Sequence, residues 1–333
     1  MAERRITIHI GHPKCASTTL QAALAANLDA LRARGALVAD RSMRFVTEGR
    51  LDGTPTFYVA DMVARGEAGL RDAVQHIHAQ SADLPARYDH LIISAESLAN
   101  PKGEFLAKAL AHGYRVEVVD YVRRPQDFLV SAWAQWGCLE GKPLAPFVER
   151  EFELGRPAYR KVADKWAAFA HAMHVRPLHP SALRDGDVVR DLFAALGYAD
   201  LEPKLEASRN PMLDWGVLEV FADSSFLFED IHDTGLGDWL KGHGAVATDR
   251  PRLPRALVEQ VRDRYDDDNR ALHARCFPDV DFDEVLATRV DDAAPEQSEN
   301  EQLAAQLERL RRVMGLQLSL LRRLAAGMPD PGR

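Results

Sequence analysis

The sequence has no apolar run long enough to cross a bilayer, only three cysteines and no excess of basic residues. A membrane-spanning helix needs about 18 to 20 apolar residues in succession, so we expect no transmembrane segment. Cys15, Cys138 and Cys276 include no Cys-x-x-Cys pair, which argues against a disulfide framework and a structural zinc site. Three cysteines and the lack of an apolar signal-like stretch near residue 1 favour a reducing, cytoplasmic location.

The balance of charge restricts the partners. The formal net charge is −8, whereas nucleic acids and anionic membranes bind basic surfaces. We therefore expect no nucleic-acid partner, although a local basic site on an acidic protein can still hold an anion. With 333 residues, of which 46% are hydrophobic, the chain can form a large core in one or two domains.

Strand and helix patterns alternate along the first part of the chain. Runs rich in β-branched residues predict strands at 6–10, 36–39, 90–95, 115–122 and 174–178. Helical spacing of leucines follows the first strand and ends at Gly35, and a further helix is predicted at 104–112. Strand and helix repeated in this way predict an α/β fold with a parallel sheet flanked by helices.

The C-terminal part is predicted to be helical. Helices are expected at 215–223 and 254–263, and acidic and small residues predict a linker at 291–300 between an α/β domain of residues 1–290 and a helix at 301–327. That helix carries a heptad seam, interrupted by Gln317, that consists of Leu303, Leu307, Leu310, Met314, Leu321 and Leu324. Such a seam either packs on its own chain or forms a coiled-coil homodimer.

A first anion site is predicted at residues 11–21. The segment Gly11-His12-Pro13-Lys14-Cys15-Ala16-Ser17-Thr18-Thr19-Leu20-Gln21 lies between the first strand and the first helix. Backbone N–H groups at a helix N-terminus attract anions, and the three hydroxyl groups and Lys14 add donors and charge. A phosphate or sulfate group is therefore the expected guest. The segment is not a Walker A loop, because Lys14 stands three residues before Ser17 instead of directly before a Ser or Thr.

A second site is predicted where the fourth strand ends. Arg123 and Arg124 follow that strand, Pro125 suits the first position of a new helix, and Ser131 lies on that helix. Ligands of parallel sheets bind at the strand ends. An ion pair of one arginine with Asp120 or Asp127 on the surface is the alternative interpretation.

The two sites in this order resemble the sulfotransferases that use 3′-phosphoadenosine-5′-phosphosulfate (PAPS), in their bacterial branch. In that family a Pro-Lys-x-Gly-Thr-Thr loop holds the 5′-phosphosulfate, and an Arg-x-Pro motif followed by a helical Ser holds the 3′-phosphate. Residues 13–21 match the loop, and Arg123, Pro125 and Ser131 match the second motif. The resemblance covers about residues 6–200 and extends to the segment 185–197. It implies a P-loop NTPase-like sulfotransferase fold and PAPS as co-substrate, with no metal.

The resemblance also assigns roles to residues. Lys14 would stabilise the charge that develops on the leaving phosphate, since sulfuryl transfer, like phosphoryl transfer, depends on positioning and charge stabilisation. The 5′ side of the donor would contact the loop through Lys14, Cys15, Ala16, Ser17, Thr18 and Thr19. Arg123 and Ser131 would anchor its 3′-phosphate. Ala16 replaces the family's Gly, which matters if the backbone there has a positive φ.

A general base is needed to take the proton of the acceptor hydroxyl. Glu96 follows the third strand and would reach the same edge of the sheet, so it is the first candidate, with Asp40 and His12 as rivals. Trp133 and Trp136 share a helical face near Ser131, where core packing is favoured over stacking on adenine. The acceptor is expected to be a hydroxyl of a carbohydrate, a lipid-linked sugar or a small metabolite.

Two other functions compete with the sulfotransferase. One is a nucleotide-dependent kinase, which would need a Gly-Lys-Ser/Thr loop and a Walker B acid that the sequence does not offer. The other is a relative that binds a nucleotide without catalysis, which the Ala16 replacement leaves open.

Overall fold

The computed structural model describes residues 4–100, 102–204, 211–247, 251–295 and 298–327. The strands are β1 (Arg4–His9), β2 (Ala36–Val38), β3 (His90–Ser94), β4 (Tyr114–Val122) and β5 (Ala172–Pro177). The α-helices are α1 (Ser17–Ala26), α2 (Leu28–Arg32), α3 (Thr56–Ala64), α4 (Glu67–Asp83), α5 (Glu104–Leu110), α6 (Pro125–Ala132), α7 (Leu144–Glu153), α8 (Tyr159–Ala167), α9 (Val188–Ala195), α10 (Trp215–Asp223), α11 (Gly235–Gly242), α12 (Arg255–Cys276), α13 (Phe282–Val285) and α14 (Glu299–Gly327).

The chain divides into two compact units. The first contains residues 1–124, 158–208 and 265–287, and the second contains 125–157, 209–264 and 288–333. The division therefore falls between β4 and α6 and again within α12. It differs from the predicted division at residue 290, and the predicted domain boundaries stay a prediction. Residues 296 and 297 of the predicted linker lie outside the described residues.

The first unit is built on a parallel five-stranded sheet of order β2-β3-β1-β4-β5. After β1 the chain first forms β2 and β3 on one side and then crosses to form β4 and β5 on the other. The direction of winding therefore reverses at β1, which is the place where open α/β sheets bind ligands. The α/β class with a parallel sheet flanked by helices, predicted from the alternating patterns, is confirmed.

Both faces of the sheet are covered. Ile6 and Ile8 of β1 point to one core, which α3, α4 and α5 close. The other core contains Ile92, Val119 and Tyr121 together with side chains of α1, α9 and α13. Because successive strand residues point to opposite faces, Thr7 and His9 of β1 point into the second core and are fully buried there.

The predicted elements differ from the observed ones mainly at their ends. The first helical pattern is two helices, because Asn27 breaks the run between α1 and α2 and its side chain bonds Ala23 O and Lys204 O. Helix α12 continues to Cys276, well past the predicted end at residue 263. Helix α10 has the predicted bounds, and Asp214 caps it through the N–H of Gly216.

In the second unit the tail helix α14 packs on α10 with a face other than its leucine seam. Val313 is buried, and the side chain of Arg309 forms a bidentate ion pair with Glu219 at 2.8 and 3.1 Å. The seam residues Leu303, Leu307, Leu310, Met314 and Leu321 are 51–59% exposed, and the side chain of Leu324 lies outside the described side chains. The seam therefore remains available on the surface of this unit.

Helices of the described residues include none that is long and apolar enough to cross a membrane.

Candidate functional site

The carboxyl ends of the three central strands bring the predicted loop and the predicted base together. The N–H of Ile10 donates to the carbonyl of Val119 and the N–H of Ala95 donates to the carbonyl of His9, both at 3.1 Å. These bonds extend the ladders of β1 past its end on both sides. The segment 11–16 after β1, Glu96 after β3 and Arg123 after β4 consequently share one edge of the sheet, at the reversal point of the winding.

The loop turns through three residues with positive φ. Their φ angles are +28° at Gly11, +63° at Lys14 and +66° at Ala16. A Cβ on Gly11 would lie 2.6 Å from the Oγ of Ser17, so only glycine fits there without moving the hydroxyl. The backbone at Ala16 does have a positive φ, a left-handed conformation that a residue with a Cβ disfavours. Replacement of the family's Gly by Ala16 therefore has a steric cost.

The N-terminus of α1 is arranged as an anion cradle. Ala16 is the N-cap residue, the helix has no side-chain cap within the described residues, and its first turn contains no acidic residue. The Oγ of Ser17 is buried at this end of the helix and has no hydrogen-bond partner among the described groups. A buried hydroxyl without a partner costs free energy unless a ligand or a water satisfies it. Thr18 is exposed and Thr19 is half-buried, so both can add donors at the surface.

Replacing Ala16 with glycine should stabilise the protein. Glycine adopts φ of +66° without the steric cost that a Cβ brings, which is about 1 kcal/mol or somewhat more. We expect Ala16→Gly to raise the melting temperature by about 1–3 °C, as measured by calorimetry. Ala25→Gly, at an exposed helical position of the same α1, should lower it instead, by the usual helix penalty of about 1 kcal/mol. Equal effects of the two substitutions would contradict a left-handed strain at Ala16.

Arg123 connects the second predicted site with the first. Its Nη1 donates to the carbonyl oxygen of Lys14 at 2.9 Å, so the guanidinium supports the positive-φ turn of the loop. A guanidinium has five N–H donors, which leaves others for an anion. Arg124 has a different position: it is buried and donates to the carbonyl of Glu284. Of the two arginines, Arg123 is therefore the one at the loop.

Glu96 lies close to Lys14. It begins a short 3₁₀ helix, Glu96–Ala99, and is half-buried. Burial raises the pKa of its carboxyl group, and the charge of Lys14 opposes this only in part. The sequence leaves open which influence is larger, and in the structure burial prevails. A carboxylate with a raised pKa is a stronger proton acceptor than an ordinary glutamate.

The two rival bases have other partners. One carboxylate oxygen of Asp40 accepts from the N–H groups of Ser42 and Arg44, and the other accepts from the Arg44 side chain at 3.1 and 2.9 Å. Asp40 thus stabilises the turn after β2. His12 is buried, and its Nδ1 hydrogen-bonds Oδ1 of Asp120 at 2.8 Å. Its Nε2 is buried without a partner among the described groups, so His12 retains one nitrogen for a proton.

A layer of buried polar groups beneath the loop is not evident from the sequence motifs. Asp120, in the middle of a hydrophobic core, holds His12, and the ring of His12 packs edge-on to that of Tyr159 at 4.8 Å. Burial lowers the pKa of His9 to about 4, with Asp120 opposing it. The signal that points to this layer is a carboxylate two residues before the end of the apolar strand β4. The hydrogen bond between His12 and Asp120 ties the loop to this buried layer.

Cys15 belongs to that buried layer and not to the loop surface. Its side chain lies in the core, and its N–H donates to the carbonyl of His12 at 3.2 Å. Burial raises the pKa of the thiol to about 12, although Arg123 lowers it. The thiol is therefore protonated and unreactive as a nucleophile. A role of Cys15 in ligand binding stays a prediction.

Ser131 lies on α6, in the second unit, and is half-buried. Trp133, also in the second unit, is buried and donates from Nε1 to the carbonyl of Lys142 at 2.8 Å, which agrees with the core packing favoured above. Among the described residues, no group of three or more His, Cys, Asp or Glu side chains is arranged to hold a metal ion.

Comparison with known proteins assigns no family: no family model matches the chain, and no curated protein is significantly similar to it.

Proposed function

We propose that the protein is a PAPS-dependent sulfotransferase that transfers a sulfuryl group to a hydroxyl of a saccharide or a small molecule, on a P-loop NTPase-like fold and in the cytoplasm. The observation that carries the proposal is the hydrogen bond from Arg123 to the Lys14 carbonyl, because it joins the two motifs that resemble the family. They are 109 residues apart in the chain, and each contributes a cation to one edge of the sheet.

The residues at this edge fit a phosphosulfate. The hydroxyl of Ser17 is buried without a partner among the described groups, and the first turn of α1 contains no acidic side chain. Gly11, the one glycine of the segment 11–21, leaves space beside that hydroxyl because it has no Cβ. Helix N-terminal N–H groups together with hydroxyls and a lysine suit the terminal oxygens of such an anion. The 3′-phosphate would be held by Arg123, with Ser131 as the residue that the family resemblance adds.

The chain's own residues would act by positioning and by charge. Lys14 would stabilise the negative charge that develops on the departing 5′-phosphate, and the N-terminus of α1 would orient the transferred group. Glu96 would accept the proton of the acceptor hydroxyl as the oxygen forms its new bond to sulfur. Its raised pKa suits it to this role, and the charge of the neighbouring Lys14 opposes the effect of burial on that pKa in part.

Binding of the product nucleotide without metal tests the proposal. Adenosine 3′,5′-bisphosphate should raise the melting temperature in the presence of EDTA, and at 100 times its dissociation constant the gain in free energy of unfolding is about 2.7 kcal/mol. ATP with Mg²⁺ should stabilise less, since the loop lacks the Walker A lysine. Stronger stabilisation by Mg-ATP would contradict the sulfotransferase and favour the kinase.

The matched variant for this measurement is Ser131→Ala. It should reduce the affinity for adenosine 3′,5′-bisphosphate by about tenfold, the usual effect of one hydrogen bond to a charged group, and leave that for 5′-AMP unchanged. Arg123→Gln is less selective because Arg123 also supports the loop. If the unmodified protein binds adenosine 3′,5′-bisphosphate and 5′-AMP with equal affinity, the proposed 3′-phosphate site is contradicted.

A nucleotide-binding protein without transferase activity is the second candidate, and the left-handed Ala16 favours it, because a Cβ stands where the related loop has glycine. It would bind the bisphosphate with the same preference and transfer no sulfuryl group to any acceptor hydroxyl. Assay of PAPS consumption with a panel of saccharides and phenols distinguishes the two.

We also propose that the exposed seam of α14 mediates a homodimer. The heptad spacing of Leu303, Leu307, Leu310 and Met314 suits the same helix of a second copy, while Val313, buried in its own unit, holds α14 in place. Leu307→Gln with Met314→Gln should halve the mass seen by light scattering and leave nucleotide binding unchanged. The control is Arg311→Gln with Arg312→Gln, since both arginines are exposed. A monomeric wild-type protein would contradict the proposal.

A further inference from the structure

A concave apolar groove lies in the first unit, on the helical layer formed by α3, α4 and α5. Its volume is about 670 Å³, which is within the range of small-molecule sites. The apolar side chains that line it are Met62, Val63, Leu70, Phe105 and Ala109. This groove is not part of the loop site, and nothing in the proposed function uses it.

The charged side chains that line the groove are mainly basic although the protein as a whole is acidic. Lys102, Lys108 and His112 line it together with one acidic residue, Glu67. Neither Lys102 nor Lys108 forms an ion pair with a carboxylate of the described residues, whereas Lys165, on a neighbouring helix, pairs with Glu104. With two lysines against one carboxylate, the lining has an excess of positive charge beside apolar surface, which is an electrostatic complement for an anionic head group.

Two observations support a defined placement of Lys102 and Lys108. The Nζ of Lys108 lies 5.5 Å from the ring centroid of Phe169, an arrangement that restrains the ammonium group by cation–π attraction. Lys102 has a φ of +77°, an uncommon value for lysine, and strained backbone of this kind persists at binding sites more often than elsewhere. Phe105, between them in the chain, is 39% exposed and offers an aromatic wall.

From this juxtaposition we propose that the groove binds a free single-chain amphipathic anion, an alkyl carboxylate whose chain lies on the apolar lining and whose head group pairs with Lys102 and Lys108. Burial of each methylene contributes about 0.8 kcal/mol, so a chain of moderate length supplies most of the affinity, and the two lysines select the anion. The proposal does not depend on the sulfotransferase proposal.

A bilayer surface is a poorer match for the same residues. Glu67 lines the groove, and Asp61 and Asp72, which both pair with Arg65, lie on the same helices α3 and α4. These carboxylates would oppose an anionic membrane. A concave lining suits one enclosed chain better than the flat interface of many lipids.

The experiment measures displacement of dansyl-labelled undecanoate by decanoate and by 1-decanol from the full-length protein. Decanoate should bind about tenfold more tightly than 1-decanol. Lys102→Gln with Lys108→Gln should abolish that difference, and both lysines are exposed, so the fold is expected to remain. Lys161→Gln with Lys204→Gln, also exposed and outside the groove, makes the same change of net charge and should preserve the difference.

A second variant tests the apolar part. Ala109→Phe would fill the groove from a half-buried helical position, and it should weaken binding of both ligands while the melting temperature stays near that of the wild type. Failure of decanoate to displace the probe, or equal displacement from the wild type and the double lysine variant, would overturn the proposal. So would binding to phosphatidylglycerol vesicles that requires the two lysines in the absence of binding to free decanoate.

Discussion

Replacement of Lys14 with alanine is expected to reduce sulfuryl transfer by about 10² to 10³ in kcat, the usual effect of removing one preorganised electrostatic group. The physical reason is the position of Lys14 in the loop: its backbone has a φ of +63°, and its carbonyl is fixed by Arg123. Alanine adopts the same backbone at a similar cost, so the substitution removes the charge and leaves the loop. The bisphosphate should bind with a smaller loss than the loss in kcat, because the charge matters most when the phosphate departs.

The same variant gives an independent readout through Glu96. The charge of Lys14 lowers the pKa of Glu96 against the larger effect of burial, so without Lys14 that pKa should rise further. The acidic limb of the pH–rate profile should therefore move to higher pH in Lys14→Ala. Lys161→Ala, an exposed lysine of α8 in the same unit, is the control. A kcat within threefold of the wild type would assign Lys14 a structural role.

The architecture follows from the sequence because its signals are local. Alternating and continuous apolar runs locate all five strands of the sheet. The helical patterns between successive strands provide the crossovers that parallel strands need, so the parallel sheet is predicted without any long-range information. What local patterns miss is competition from tertiary contacts. Asn27 ends α1 because its side chain finds partners in Lys204 and Ala23, and the apolar spacing of leucines continues through the break.

The site could be predicted in its exposed and charged parts and not in its buried ones. Lys14, Ser17 and Arg123 follow strand ends and can be placed at one edge from topology alone. The pairing of His12 with Asp120 joins residues far apart in the chain, and the local pattern indicates a carboxylate in an apolar strand without indicating its partner. Likewise the family resemblance places Cys15 among the loop residues that contact the donor, whereas its side chain lies in the core.

Glu96→Gln is the second substitution with a large expected effect. It should lower kcat by about 10² to 10⁴ and leave the dissociation constant of adenosine 3′,5′-bisphosphate unchanged, because glutamine keeps the shape and loses the proton acceptor. In the unmodified protein kcat should fall as the pH decreases through the raised pKa of Glu96, and the variant should lack this acidic limb. Glu104→Gln is an unsuitable control, as Glu104 is buried and paired with Lys165, whereas Glu149→Gln changes an exposed carboxylate.

Stability provides the complementary measurement for Glu96. A carboxyl group whose pKa is higher in the folded than in the unfolded state binds more protons when folded, so its ionisation costs stability as the pH rises past the unfolded and then the folded pKa. Glu96→Gln should consequently be more stable than the wild type at neutral pH and no more stable at acidic pH. If Glu96→Gln is stabilised and its pH–rate profile lacks the acidic limb, Glu96 is the base. Its environment then favours proton transfer and reduces the stability of the folded protein. A stabilised variant with unchanged kcat would move the proton transfer to His12, whose Nε2 is the remaining buried acceptor at the loop, since Asp40 is occupied by Arg44.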